Sequence, residues 1–195
     1  MPSREQICNL GLSKISAFRV SSLSPPKSAV EQECAAGYEL WKQQELVKKR
    51  WVFARKREAQ TYSSVDNTRE DGRIYVYEVP ADCLRPIQPN ETAHRFTPEG
   101  TKLYSRNSAL ILEYIFNVDD SLLVPLFVDV LACRVAIEEA EPRTQSNQKK
   151  EFAQGLYNTA IAVAGALNAY ITEPETHDAP DEAFSWLNAR LGYPP

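Results

Sequence analysis

The sequence predicts a mainly α fold, a helical bundle with a small inserted antiparallel β-module and an extended C-terminal tail. Apolar residues recur at helical spacing towards both ends of the chain, whereas the middle is rich in Pro and Gly and alternates as short strands do. A polar linker and an aromatic segment close the chain. We therefore expect a helical core from residues 1–65 and 119–172, a β-module from 66–118, and a linker with a docking tail from 173–195.

The composition is that of an ordinary globular chain. With 195 residues, 43% hydrophobic and 25% charged, it is long enough to bury one core. Its net charge of −4 does not favour a general nucleic-acid or membrane binder, and its N-terminus lacks the apolar run of a secretory signal. The four cysteines form no CxxC pair and the two histidines lie far apart. We therefore expect reduced thiols, no metal site and no cofactor.

Three helical pieces are expected before the β-module. Ser3 and Gln6 form a capping box for a first helix that ends near Ser16. A long helix follows over about residues 27–48, and its buried stripe consists of Val30, Cys34, Tyr38 and Trp41. The stretch WVFARKREAQTYS, residues 51–63, is predicted to be a third helical piece.

The β-module is expected to contain short strands joined by loops. One strand covers residues 74–79, and a second at 84–87 is confined to a sheet edge by Pro86. Pro98-Glu99-Gly100 joins two further pieces as a tight hairpin. An apolar strand at 109–118 completes the sheet.

The most buried helix is expected to start at Pro125, whose missing N–H suits a first helical turn. From residue 126 to 137 apolar side chains occupy nearly every angle, and only Asp129 and Arg134 interrupt them. This stretch is too short for a membrane span, which needs about 20 residues. We expect it to be partly the centre of the core and partly a seam between subunits.

The last predicted helix covers about residues 148–171 and is capped by Ser146 or Asn147. Many alanines make it thin, so that another helix can approach closely. Its apolar stripe consists of Phe152, Leu156, Val163, Leu167 and Tyr170. The candidates for subunit contacts on this helix and on the helix before it are Phe127, Val130, Leu131, Val163 and Leu167.

The tail carries three bulky aromatic residues behind the linker TEPETHDAP. Two interpretations remain open: the segment folds back onto the core, or it projects as a docking peptide. Its docking candidates are Phe184, Trp186, Leu187, Leu191 and Tyr193.

One basic cluster stands out in the chain. It is either a solvated face beside two buried aromatic residues or a contact for a phosphate backbone or an acidic partner. Its members are Lys48, Lys49, Arg50, Arg55, Lys56 and Arg57.

No nucleotide-binding, zinc-protease or nucleophile-elbow motif appears. Glu113, Asp119, Asp129 and Glu138 could on paper supply the carboxylate pair of a glycosidase. Asp119, however, lies at a helix start, and Glu138 lies four residues after Arg134, an ordinary helical pair. A hydrogen bond within or between subunits would satisfy Asp129. We therefore expect a protein without enzymatic activity.

Four separated segments stand out together. They are ICNLGLSKI, RWVFARKREAQ with its W-x-F-A element, YEVPADCLRPIQ, and EYIFNVDDSLLVPLFVDVLACRVA. In this order and spacing they resemble the head-to-tail adaptor family of short-tailed bacteriophages, also called tail tubular protein A or head completion protein. The resemblance covers about residues 4–170.

This resemblance implies a structural virion protein. Adaptor subunits of this family form a ring, usually of about twelve copies, beneath the portal at the capsid vertex. They join the portal to the tail nozzle and let double-stranded DNA pass through the channel. Such a protein belongs to the virion tail and is assembled in the host cytoplasm. The family's tail often reaches the portal, which implies that role for the aromatic segment, with Trp186 as its main anchor.

Two alternative functions follow from the same observations. Some adaptor relatives have been suspected of cell-wall hydrolysis, so one alternative is a phage-associated peptidoglycan hydrolase. The other is an unrelated helical interaction protein of a host cell.

Overall fold

The computed structural model describes residues 2–89 and 94–172. The helices in this part of the chain are α1 (Arg4–Lys14), α2 (Ala29–Lys48), α3 (Pro125–Thr144) and α4 (Asn147–Thr172). Its strands are β1 (Arg55–Gln60), β2 (Ser64–Val65), β3 (Tyr75–Glu78), β4 (Cys83–Ile87), β5 (Phe96–Glu99), β6 (Lys102–Ser105) and β7 (Leu110–Phe116). Short 3₁₀ turns, Val52–Ala54 and Asp120–Leu122, precede β1 and α3.

The described residues form an α+β fold, with about 50% in helix and 19% in strand. The predicted mainly α bundle is therefore wrong. Much of the error lies at residues 51–63, where the pattern predicts a helical piece but the chain forms a 3₁₀ turn and then β1. The prediction depended on Trp51, Phe53 and Ala54. The following RKREAQ alternates in exposure with a period of two, as a strand does, because β7 offers it a pairing partner.

Two antiparallel sheets organise the strands. One has the order β1-β7-β4 and the other β2-β3-β6-β5. β1 pairs with β7 from Arg55 opposite Ile115 to Gln60 opposite Leu110. β1, from the predicted helical core (residues 1–65), thus pairs with β7, from the predicted β-module (residues 66–118). The predicted division of the chain into these domains stays a prediction.

Several local predictions for the strands are confirmed. β4 pairs with β7 at the edge of its sheet and contains Pro86, as the missing N–H requires. β5 and β6 form the expected hairpin, and Gly100 between them has a φ of +61°, which favours glycine. β7, the apolar strand, lies at the centre of its sheet.

α3 is the centre of the main core, as its composition predicts. Phe127, Val130 and Leu131 are fully buried. The Phe127 ring packs edge-on against Trp51, with 5.3 Å between centroids, and against Phe53 at 5.1 Å. A second, smaller cluster covers one face of β7 and consists of Tyr77, Phe96, Leu103, Leu110, Leu112 and Tyr114.

α1 approaches α3 closely because residue 11 has no side chain. A Cβ atom at Gly11 would lie 2.5 Å from the carbonyl oxygen of Ala132 and 2.8 Å from the Cβ of Val135. Both distances are shorter than van der Waals contact. The backbones of the two helices therefore meet at this point.

Glu31 ties the connector before α2 to the first turn of that helix. Its carboxylate accepts hydrogen bonds from the backbone N–H and hydroxyl of Ser21 at 2.8 and 2.7 Å, and from the Lys27 N–H at 2.6 Å. The N–H groups of Ser22 and Ser28 also donate to it. These bonds, led by the Ser21 hydroxyl, lower the pKa of Glu31 to about 2.

Gly11→Ala should destabilise the protein by about 1–3 kcal/mol, because the added methyl group pushes α1 away from a backbone carbonyl. Gly155→Ala on α4 is the matched control: its Cβ position has nothing within 4 Å, and alanine favours a helix by roughly 1 kcal/mol. Urea unfolding measures both changes. Equal effects of the two substitutions would contradict the close contact of α1 and α3.

Glu31 should make stability depend on pH in the acidic range. Its pKa in the folded state is below the unfolded value near 4.5, so its stabilisation is fully present above pH 4.5 and is lost as the pH falls towards 2. We expect Glu31→Gln to lower the melting temperature at pH 7, and its difference from the wild type to shrink between pH 4.5 and 2. Circular dichroism melts measure this.

The control for this experiment is Glu33→Gln on the same helix. The Glu33 side chain is 61% exposed and pairs with Arg143 at 3.3 Å, so its loss should change the melting temperature little. A pH-independent effect of Glu31→Gln would refute the assigned role of the carboxylate.

Candidate interaction surface

α4 packs on the core through its small side chains. Ala153 and Ala164 are buried, and Tyr157, Ala160 and Ile161 pack beside them against the main core. Of the described elements, α3 is the one that α4 contacts most extensively. Buried Ala153 and Ala164 allow a close approach here, because small residues let two helices pack tightly, whereas Ala162, Ala166 and Ala169 are exposed.

A buried carboxylate fixes the middle of α4. Glu45 on α2 is fully buried, and the Tyr157 hydroxyl donates to it at 2.9 Å. The Lys48 ammonium donates to both groups, at 2.6 Å to Glu45 and 2.7 Å to the Tyr157 oxygen. Burial, more than any neighbour, raises the pKa of Tyr157. The phenol therefore stays protonated and keeps its hydrogen bond to the carboxylate.

Asn168 fixes the end of α4 to the connector between α2 and β1. Its Oδ1 accepts a hydrogen bond from the Val52 N–H at 2.9 Å, and its Nδ2 donates to the Arg50 carbonyl at 2.9 Å. Nearby, the Lys49 ammonium donates to the Ile161 carbonyl at 3.0 Å. An amide that pairs with the backbone on both sides holds this end of the helix in one place.

The outward face of α4 is apolar and exposed. Its side chains lie at helical spacing on one side, with small residues such as Thr159 and Ala166 between them. The large members and their exposed fractions are Phe152 58%, Val163 53%, Leu167 48%, Tyr170 78% and Ile171 60%. Four of the five predicted stripe residues are thus on the solvent-facing side, whereas Leu156 is half-buried, and exposed apolar residues that share one helix face favour an interaction site.

An apolar groove of about 370 Å³ lies where the end of α4 meets the start of α3. Trp51, Phe53 and Phe127 are among its lining residues, although Trp51 and Phe127 are themselves buried, and the three rings pack edge-to-face or tilted against one another. Its more exposed lining includes Val124, Leu126, Leu167 and Ile171. Asn168 contributes the only polar side chain among the lining residues.

The predicted subunit contacts separate into two groups. Phe127, Val130 and Leu131 are enclosed by the chain's own elements and leave no surface for a neighbouring subunit. These residues lie on α3, which is apolar around most of its circumference and is buried by other elements of the same chain. The expected contact between subunits therefore does not lie on them. Val163 and Leu167 are about half exposed and remain candidates.

The basic cluster is divided by the fold. Lys48 pairs with Glu45, Lys49 binds a backbone carbonyl, and Arg55 pairs with Glu113 at 3.5 Å. Lys56 lies on the other side of β1, where hydrogen bonds to Glu58 and Asp82 raise its pKa. Arg50 and Arg57 are exposed, and no ion pair joins either of them within the described residues. Arg50 and Arg57 are therefore the members of the basic cluster that are available to bind a partner.

The carboxylates considered for catalysis have local partners. Asp129 pairs with Lys14 at 2.9 Å, an interaction within the chain. Glu138 pairs with Arg134 at 2.7 Å, and Asp119 accepts from the Ser121 N–H at 2.9 Å. In residues 2–89 and 94–172, no group of three His, Cys, Asp or Glu side chains could hold a metal ion. No helix in that part is long and apolar enough to cross a bilayer.

The sequence alone does not predict the groove. Its signals are the aromatic pair Trp51 and Phe53, and the apolar run LLVPLF around Pro125, but nothing local shows that the two segments meet. The docking candidates of the tail, Phe184 to Tyr193, lie outside the described residues.

Asn168→Ala should destabilise the protein by about 1–3 kcal/mol, because it leaves the Val52 N–H and the Arg50 carbonyl without this partner. Asn158→Ala is the control: Asn158 is exposed and accepts a hydrogen bond from Gln154 on the same helix. Denaturant unfolding measures both variants. If Asn168→Ala costs no more than Asn158→Ala, the amide does not anchor α4.

No protein-family model matches this chain. A comparison with curated proteins also found no similar sequence.

Proposed function

We propose that this chain is a structural virion protein, a ring-forming adaptor that joins the portal at the capsid vertex to the tail nozzle and continues the DNA channel. The four segments that resemble the adaptor family support this role. The observation that carries the proposal is the exposed apolar face of α4, whose large side chains point away from a core that is complete without them.

Hydrogen bonds that anchor α4 along its length favour a role in stable assembly over one in transient contacts. Near its start, the Lys149 ammonium donates to the Ile15 carbonyl at 2.8 Å. Tyr157 anchors its middle and Asn168 its end. A surface that is already ordered loses little conformational freedom when it binds, and this favours repeated contacts between identical copies.

Ring closure requires a heterologous contact, in which one face of a subunit meets a different face of the next. The α4 stripe is one such face, with Phe152 near its N-terminal end and Val163 near its centre. Phe18, exposed to 93% in the connector after α1, is a candidate for the second face. Burial of aromatic and aliphatic side chains at each repeat provides the driving force.

The tail segment and the exposed basic residues have roles that fit an adaptor. The aromatic tail segment is the docking peptide for the portal, with Trp186 as its main anchor. Arg50 and Arg57 are the members of the basic cluster best placed for the DNA channel or for an acidic partner, and both roles stay open. Passage of DNA needs no base-specific contact, so a few exposed cations are enough.

Val163→Glu should prevent ring formation on the portal, because it would bury a charge at each repeated contact. We expect the wild type to be monomeric or weakly associated alone and to form a ring when the portal protein of the same genome is added. The variant should lose at least about tenfold in association. Gel filtration with light scattering, followed by electron microscopy, measures this.

Gln154→Glu is the control, since it places the same charge on an exposed polar position of the same helix. It should assemble as the wild type does. Absence of any co-migration with the portal would overturn the adaptor role. Normal rings from Val163→Glu would overturn the contact assigned to α4.

A further inference from the structure

The apolar groove between α3 and α4 lies where the described chain ends. Leu167, Asn168 and Ile171, from the last turns of α4, form part of its lining. The helix ends at Thr172, so the described chain stops one residue after Ile171, at the rim of the groove. Any segment that follows begins its path within a few residues of these apolar side chains.

The chemistry of the tail matches the groove. The lining has no charged side chain, and its exposed part consists of aliphatic side chains such as Val124, Leu126 and Leu167. The segment at residues 184–193 carries Phe184, Leu187 and Leu191 at a spacing of three and four residues, with Trp186 and Tyr193 beside them. Large apolar side chains on one short segment are the usual occupants of an apolar groove.

Charge also favours this segment. Residues 173–183 contain the five acidic residues Glu173, Glu175, Asp178, Asp181 and Glu182 and no Lys or Arg. Arg50 is exposed beside the groove, where its carbonyl is bonded to Asn168, and Lys49 precedes it. An acidic linker that leaves the end of α4 would therefore pass close to basic side chains, an attraction that favours a path back towards the groove.

The linker is long enough for the return. Residues 173–183 can span about 36 Å when fully extended. The groove begins beside the last turn of α4, so this length is more than enough for residues 184–193 to reach it. A tethered segment also meets its site at an effective concentration in the millimolar range. Even a weak contact is then well occupied within one chain at protein concentrations where a second copy does not compete.

We propose that the groove is the docking site for the chain's own C-terminal segment, residues 184–193. The docking does not depend on the virion role, because it requires only this groove and this segment. In the adaptor role, the same contact keeps the aromatic side chains covered until the portal takes them.

Hydrogen exchange of the full-length chain at about 1 μM tests the proposal, with mass spectrometry of peptides from residues 184–193. We expect about tenfold protection over the intrinsic rate, as a contact with a dissociation constant of about 0.1 mM gives at millimolar effective concentration. Leu167→Asp and Ile171→Asp should each remove most of this protection. Both side chains are about half exposed, so the fold should tolerate the change, and circular dichroism melts verify that.

Phe152→Asp is the matched control, an equally exposed apolar residue of α4 that does not line the groove. It should leave the protection unchanged. Exchange of residues 184–193 at the intrinsic rate in the wild type overturns the proposal, as does protection that survives both groove variants. Protection that grows between 1 and 100 μM would place the segment on a second copy and overturn docking within one chain. None of these readouts involves the portal, so failure here is distinct from failure of the adaptor role.

Discussion

Covering an apolar helix is the constraint on which the rest of this fold depends. α3 has buried side chains around most of its circumference, so water must be excluded on several sides at once. α1, α2 and α4, together with the aromatic residues before β1, supply that cover. The close approach of α1 at Gly11 and the edge-on contact of Trp51 with Phe127 both follow from it, since any gap would forfeit packing around the helix.

α4 packs on α3 with one side and exposes a second apolar side to solvent. Ala153 and Ala164 are buried on its inner side beside Tyr157 and Ile161, whereas Phe152, Val163, Leu167 and Tyr170 are exposed on its outer side. A helix that only closed the core would carry polar residues on its outer side. Because the outward residues are held on a helix fixed by Tyr157 and Asn168, they form a preorganised surface that can be covered by another chain. The groove at the end of this helix extends the same apolar surface towards α3.

Many charged residues in the described part of the chain pair with partners in the same chain. Six basic residues near each other in sequence suggest one electropositive patch. In β1, however, Lys56 and Arg55 lie on opposite faces of the strand, and Lys48 forms an ion pair with Glu45. Proximity in sequence does not give proximity in space where a strand alternates its faces. Asp129 shows the converse, since its partner Lys14 lies far away in the chain and on another helix.

The sequence by itself determined the features that depend on neighbouring residues. These include the start of α1 at the Ser3 capping box, the start of α3 at Pro125, the hairpin at Gly100 and the position of β4 at a sheet edge. Only the tertiary structure decided that residues 55–60 form a strand, that the large stripe of α4 faces solvent, and that a groove joins two distant segments. The physical reason is that these features depend on partners far away in the chain. β1 becomes a strand because β7 pairs with it, and the α4 stripe is exposed because the opposite side of α4, with Ala153, Tyr157 and Ala164, packs on the core.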